Sequence, residues 1–181
     1  MPSSILHPPS SLVLSVANRQ RTKKINARLL KEIVAALFAE LKISEAELGI
    51  SLVGAKEMAR VNWQFLQHEG STDVITFDHG ETGKAVGPLP AAGAHGTAQS
   101  TLHGELFVCV DDAVAQAKTF KTNWQSEVVR YVIHGVLHLL NHDDLQSAAR
   151  RKMKREENRL MRRLAKRFSL AQLSRAAKIS V

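Results

Sequence analysis

The segment from residue 124 to residue 141 constrains the fold most, because its apolar residues surround most of a helix. Its sequence is WQSEVVRYVIHGVLHLLN, and Thr122 and Gln125 form a possible capping box at its start. Asn141 tolerates the left-handed conformation and is placed to end the helix. A helix that is apolar nearly all round is buried. Other elements of the chain must therefore enclose this one.

Both strands and helices are predicted around the buried helix. Runs rich in β-branched and aromatic residues predict four strands, at 11–16, 48–53, 73–77 and 105–110. Apolar residues at helical spacing predict further helices after Asn26, over 56–66, through 113–117 and from about Ser147. We therefore expect a single α/β (α+β) domain with an about four-stranded mixed sheet packed with helices.

Composition predicts the limits of the domain. We expect a flexible N-terminus at residues 1–10, the folded domain at 11–167 and a basic C-terminal extension at 168–181. Residues 78–103 hold five glycines and two prolines, which predicts a long loop or hairpin connection.

The apolar runs are far shorter than the roughly 20 residues that a bilayer needs. No basic stretch precedes an apolar one at the start of the chain, so a cytoplasmic protein without membrane contact is expected.

The positive charge of the chain is concentrated near its C-terminus. Within the net charge of +8, residues 150–181 hold 12 Lys and Arg against 2 acidic residues, whereas residues 1–149 hold 13 against 15. Such an uneven distribution favours a polyanionic partner, and nucleic acid is the leading candidate. The alternative is a solvated helix face.

The single cysteine, Cys109, lies in alternating apolar sequence and is expected to be a small buried residue.

Two histidines on the buried helix are candidate metal ligands. His134 and His138 are one turn apart and therefore lie on one face. His142, Asp143 and Asp144 follow the helix end and are candidates for completing a tetrahedral site. The competing interpretation needs two core histidines, each with hydrogen-bond partners in an apolar setting.

Gly135 follows His134, at the position where the zinc protease motif HExxH has its catalytic glutamate. The absence of a carboxylate there disfavours ordinary metalloprotease chemistry. Gly costs roughly 1 kcal/mol relative to Ala inside a helix, so its presence indicates a close approach by backbone or substrate.

Several ordered motifs resemble those of the YbeY family of bacterial endoribonucleases, also called rRNA maturation factors. HGVLHLLNHDD at 134–144 is similar to the family signature HGxLHLxGYDH. Residues 62–65 followed by STDVITF at 71–77, GELFV at 104–108, and Met153 with Glu157 resemble further family segments in the same order. The resemblance covers roughly residues 10–165.

This resemblance implies a zinc-dependent, single-strand-specific endoribonuclease that acts in 16S rRNA 3′-end maturation and ribosome quality control. Its implied partners are rRNA and the small ribosomal subunit. The family's three ligands fall on His134, His138 and Asp144, so the third ligand here is a carboxylate. His142 stands where the family has Tyr and is the alternative third ligand. Asp143 matches a family Asp, and the resemblance implies that it orients a metal ligand without binding the metal itself.

The expected chemistry is phosphodiester cleavage by a metal-activated water, or by activation of the RNA 2′-hydroxyl. A site of two histidines and one aspartate is less positive than three histidines, so its water should be less acidic. Thr72 and Asp73 lie in a segment that matches the family, and a role as turn and strand residues is the competing interpretation.

Leu66 stands where the family carries an Arg that contacts phosphate. Loss of a fixed guanidinium removes a bidentate phosphate partner and predicts weak catalysis. One alternative function is therefore a ribosome-associated rRNA-binding factor with a structural metal. Another is a metal-dependent hydrolase of a different substrate, since such a helix is not inherently specific for RNA.

Overall fold

The computed structural model describes residues 11–80, 85–86 and 101–174. Predictions for residues 1–10, for most of the connection at 81–100 and for residues 175–181 concern parts of the chain outside this description. The described elements, in chain order, are β1 Ser11–Asn18, α1 Ala27–Glu40, β2 Glu45–Val53, α2 Ala55–Leu66, β3 Val74–Asp78, β4 Ala85–Val86, β5 Thr101–Cys109, α3 Val110–Phe120, α4 Trp124–Leu139, α5 Ser147–Arg167 and a 3₁₀ turn at Leu170–Ser174.

The sheet is mixed, as predicted, and has the strand order β1-β2-β5-β3-β4. The first three strands in this order are parallel, whereas β3 runs antiparallel to both β5 and β4. The four predicted strands are confirmed. The structure adds β4, a strand of two residues inside the segment that was predicted as a connection.

The sheet carries a large core on one face and a smaller one on the other. Successive side chains of a strand point to opposite faces, and β5 shows this directly. Leu106 and Val108 belong to the large core with α1, α4 and α5, whereas Cys109 is buried in the small cluster beside α2. Cys109 is a buried free cysteine, as expected, and burial raises the pKa of its thiol to about 12.

Helix α4 is the buried helix that the sequence predicted, but its start differs in detail. Asn123, with extended backbone, is the N-cap, and its side chain accepts a hydrogen bond from the N–H of Ser126 at 2.8 Å. The Thr122 hydroxyl instead donates to the carboxylate of Glu127 at 2.6 Å. The capping-box interpretation of Thr122 is therefore wrong by one residue. Asn141 has the expected left-handed conformation, with φ of 61°.

Gly135 allows α4 to lie close to the sheet. A Cβ at this position would come within 2.8 Å of Leu106 and within 3.2 Å of Val74. The close approach inferred from the sequence is thus made by side chains of β5 and β3. Because this contact sets the height of α4 above the sheet, it also sets the position of His134.

The C-terminal end of the described chain packs on the same core. Leu170 and Leu173 are buried there, and the carbonyl of Leu173 accepts a hydrogen bond from the N–H of Asn26 at 2.8 Å. Asn26 itself caps α1, as predicted, by accepting from the N–H of Leu29. The first part of the segment at 168–181 is therefore in contact with the domain, and the domain limits given above stay a prediction.

Substitution of Gly104 by Ala tests how tightly β5 is packed. A Cβ there would lie 2.7 Å from the backbone oxygen of Phe77 and 3.0 Å from the Leu139 side chain. Backbone cannot give way cheaply, so we expect the free energy of unfolding to fall by about 1–3 kcal/mol in chemical denaturation. Gly49→Ala in β2 is the control, because its Cβ would meet its nearest neighbour, in Glu105, at an ordinary 3.4 Å. An equal loss in both variants would contradict this account of the packing.

Candidate metal centre

The two histidines of α4 present the same ring atom to each other. His134 and His138 are partly buried, and their Nε2 atoms are 3.0 Å apart. Helical spacing of four residues places the two side chains side by side on one face. The two ring nitrogens therefore converge on one point beside α4.

Asp144 closes this arrangement from the loop that joins α4 to α5. Its Oδ2 atom lies 3.8 Å from His134 Nε2 and 3.9 Å from His138 Nε2. Two atoms that are each about 2.1 Å from one ion can be at most about 4.2 Å apart. All three separations satisfy this limit, so the group could hold one metal ion. Among the described residues, this is the one group of three such side chains whose ligand atoms lie close enough together to hold a metal ion.

Hydrogen bonds to the other ring nitrogens orient both imidazoles. His134 Nδ1 lies 3.3 Å from Oε2 of Glu157, and His138 Nδ1 lies 3.1 Å from the carbonyl oxygen of His142. Both partners accept, so each Nδ1 carries the hydrogen and each Nε2 can offer a lone pair. The tautomer that a metal ion requires is therefore fixed by the protein.

Glu157 is a buried residue of α5 with three side-chain partners, His134, Arg130 and Lys154. Arg130 Nη1 donates to its Oε1 at 2.5 Å, and Lys154 Nζ donates to the same oxygen at 3.0 Å. Burial raises the pKa of Glu157, but the hydrogen bonds from His134, Arg130 and Lys154 outweigh burial and hold the pKa at about 2. The carboxylate is ionised at neutral pH and keeps a negative charge beside His134.

The two histidines have opposite pKa shifts. Burial lowers the pKa of His134, but the hydrogen bond with Glu157 and the nearby carboxylates of Asp73 and Asp144 raise it overall. Burial and the neighbouring His134 lower the pKa of His138. His134 is therefore the more basic of the two imidazoles. Because a metal ion binds neutral imidazole, protonation of His134 would compete with the metal ion.

Two of the candidate residues lie outside this group. The His142 side chain borders a separate cleft of about 520 Å³, together with Lys152 and Arg155 of α5. Only its backbone carbonyl reaches His138. The Asp143 carboxylate accepts from the N–H of Leu145 at 2.8 Å and so shapes the loop, while the contacts to the histidine rings come from other groups.

His134 and Asp144 of this group line an open cleft of about 1170 Å³, bordered by α3, α4, α5 and the loop before β3, and His138 Nε2 lies 3.0 Å from His134 Nε2. The loop contributes Asp73, whose charge acts on both histidines. The side chains that line the rest of the cleft include Arg130, Arg150, Arg151, Lys154, Gln116 and Phe120. Leu66 is not among them, and it packs half-buried against the small cluster with Val61, Ile75 and Phe77.

Sequence reasoning missed the roles of Arg130 and Glu157. Glu157 stood out only through the resemblance of the last helix to a family segment. Arg130 had a usable signal, since it is a charged residue one turn before His134 in an otherwise apolar stretch. Asp73 was considered, and the structure shows it both at the start of β3 and beside the histidines.

An α/β domain in which two imidazoles and a carboxylate converge beside an open cleft has the architecture of a metal-dependent hydrolase. Comparison with known proteins agrees. Residues 15–165 match the family model described as endoribonuclease YbeY. The chain therefore belongs to the endoribonuclease YbeY family, as its motifs predicted.

Individual relatives support the same assignment. The chain is 30% identical over 148 residues to the endoribonuclease YbeY of Salinibacter ruber, covering 82% of this chain and 89% of that protein. It is 31% identical over 133 residues to the endoribonuclease YbeY of Elusimicrobium minutum, covering 74% and 85%. The solution structure of TM1509 from Thermotoga maritima has the same fold, with a TM-score of 0.58, 17% identity, and coverage of 93% of this chain and all of that one.

No described helix has both the length and the apolar content that crossing a membrane requires.

Alanine variants of the four candidate ligands test the metal site. We expect His134→Ala, His138→Ala and Asp144→Ala each to lower metal affinity by more than the roughly 10- to 100-fold typical of losing an outer contact. His142→Ala is the matched control, because it keeps the backbone carbonyl that holds His138. Metal content after dialysis, measured by elemental analysis, is the readout. Full metal in Asp144→Ala together with loss in His142→Ala would reverse the assignment.

Proposed function

We propose that this protein cleaves single-stranded RNA during 16S rRNA 3′-end maturation, with one zinc ion held by His134, His138 and Asp144. As a member of the endoribonuclease YbeY family, the chain is a metal-dependent endoribonuclease. The observation that carries the finer proposal is the convergence of these three side chains on one point of a cleft with a cationic wall.

Zinc suits this set of donors. Imidazole nitrogens and a carboxylate oxygen are common zinc ligands, and three protein ligands leave a fourth position for water or substrate. When bound, the ion lowers the pKa of its water and polarises a phosphate oxygen. A site with a carboxylate in place of a third histidine carries one positive charge less, which favours a less acidic water.

The chain's own residues position the substrate around this point. Arg150 Nε donates to the carbonyl of Asp144 at 2.9 Å, so it holds the loop that carries the third ligand. Arg151, the next residue, is exposed on the same wall and makes no ion pair within the described residues. Its guanidinium is free to contact a phosphate. The Asp73 carboxylate lies on the β3 side of the cleft, where it can accept a proton from a hydroxyl or water.

The partially buried ligands support specificity for single strands. His134 lines the cleft with its side chain 23% exposed, and the adjacent His138 side chain is 17% exposed, so a scissile phosphate must enter the cleft to reach them. A flexible unpaired strand can do so, whereas a stiff duplex presents its phosphates on a broad convex surface.

The small ribosomal subunit is the proposed partner, and the cytoplasm the proposed location. The support is the charge of α5 and its flanks, since 12 cations against 2 acidic residues over residues 150–181 favour binding to rRNA. A role in ribosome quality control belongs to the same proposal, because it requires cleavage of RNA already assembled with ribosomal proteins.

The second candidate function is an rRNA-binding factor whose metal is structural. It is favoured by Leu66, which places an apolar side chain in the small cluster where the family carries an Arg. RNA cleavage by the zinc-loaded protein separates the two candidates.

We expect the zinc-loaded protein to cleave an unstructured rRNA fragment, and a chelator to abolish the cleavage. His138→Ala should be inactive, while His142→Ala should retain activity. Gel analysis of end-labelled RNA is the measurement. If neither the chelator nor His138→Ala changes cleavage, a contaminating nuclease explains it. If no cleavage occurs while RNA binding persists, the binding-factor function replaces the proposal.

Arg151→Gln tests the cationic wall without disturbing the ligands. Each phosphate contact on a single strand contributes about 0.7 to the slope of log affinity against log salt. We expect the variant to bind single-stranded RNA more weakly and to lower this slope by about that amount, as measured by fluorescence anisotropy. Lys31→Gln on α1 removes the same charge from an exposed position outside the cleft and should change neither quantity. Equal effects would show that only the net charge matters.

A further inference from the structure

Phe120 is the most exposed large apolar side chain among the described residues, at 67%. It is the last residue of α3, and Lys121 after it has the left-handed conformation that ends the helix. Phe120 lines the same cleft as His134. A ring left mostly in water contributes little to the folded core, and on the cleft wall it is accessible to a ligand.

Gln116 lies one helical turn before Phe120 and also lines the cleft. Spacing of four residues puts the amide and the ring next to each other on one face of α3. Gln116 is exposed, and its amide makes no hydrogen bond within the described part of the chain. This face of α3 therefore presents the apolar ring of Phe120 together with the NH₂ donor group and the carbonyl acceptor of the Gln116 amide.

The opposite wall of the cleft has different chemistry. It is formed by α5 and carries the cations Arg150, Arg151 and Lys154. A chain molecule whose negatively charged backbone binds along α5 would direct its side groups toward α3. A nucleic acid strand has this division, with phosphates along one side and flat bases on the other.

We propose that Phe120 and Gln116 form a subsite for one unpaired nucleobase, which stacks on the ring of Phe120 while its edge bonds to the amide of Gln116. The inference rests on the proposed function, because it takes RNA as the occupant of the cleft. Aromatic side chains stack with any base, and amides bond to the Watson–Crick edges of bases, which are free only in unpaired nucleotides. The subsite gives a physical reason for single-strand specificity and favours purines, whose larger rings cover more of the Phe120 face.

The experiment measures binding rather than cleavage. Labelled single-stranded RNA of fixed sequence, and a series with one abasic nucleotide at successive positions, are titrated in the presence of chelator. For the wild type we expect one position at which loss of the base weakens binding. Phe120→Ala should weaken binding of the intact strand by roughly 5- to 100-fold and make the protein insensitive to the base at that position.

Three variants complete the design. Phe120→Trp should restore binding, and Gln116→Ala should cause a smaller loss confined to the same position. Trp63→Ala removes an aromatic side chain that is 54% exposed outside the cleft and should have no effect. Because Phe120 is mostly exposed, thermal unfolding of Phe120→Ala should match that of the wild type.

The proposal is overturned if Phe120→Ala binds the intact strand as the wild type does, or if it loses equal affinity for intact and abasic strands. These outcomes are independent of catalysis. Position-specific binding without any cleavage by the zinc-loaded protein would refute the proposed function and leave the subsite standing. RNA cleavage by the zinc-loaded protein, together with RNA binding that does not depend on Phe120, would support the proposed function and refute the subsite.

Discussion

The carboxylate of Glu157 is the interaction on which the site depends. It is buried between α4 and α5, where it contacts His134 while Arg130 and Lys154 hold its charge. A buried carboxylate without such partners would be strongly destabilising, so the network must form as a unit. The same contacts that join the two helices also set the tautomer of His134. The packing of α5 against α4 and the orientation of His134 for a metal ion therefore depend on the same contacts.

The path of the chain between these helices supplies the rest of the centre. Asn141 turns the backbone with a positive φ, the carbonyl of His142 then reaches His138, and Asp144 follows two residues later. The Asp143 carboxylate stabilises the same loop by accepting from the N–H of Leu145. The sheet contributes from below, because Gly135 lets α4 lie against Leu106. Together these features place three candidate ligand atoms around one point.

Much of this arrangement was readable in the sequence, because periodicity and spacing report local structure. The strands, the buried helix and the side-by-side placement of His134 and His138 follow from such rules. The contacts of Glu157 with Arg130 were not readable, since they join positions 27 residues apart and depend on how two helices cross. The placement of Leu66 away from the cleft and the separation of the His142 side chain from His138 likewise depend on tertiary packing.

The proposed function requires that the protein hold one metal ion through two imidazoles and one carboxylate. The most direct measurement is a crystal structure of the zinc-loaded protein with anomalous data collected at the zinc absorption edge. We expect one anomalous peak per chain, bonded to Nε2 of His134, Nε2 of His138 and a carboxylate oxygen of Asp144 at about 2.0–2.2 Å. A peak bonded to the His142 ring in place of Asp144, or a zinc ion at another place with these three side chains unbound, would contradict it.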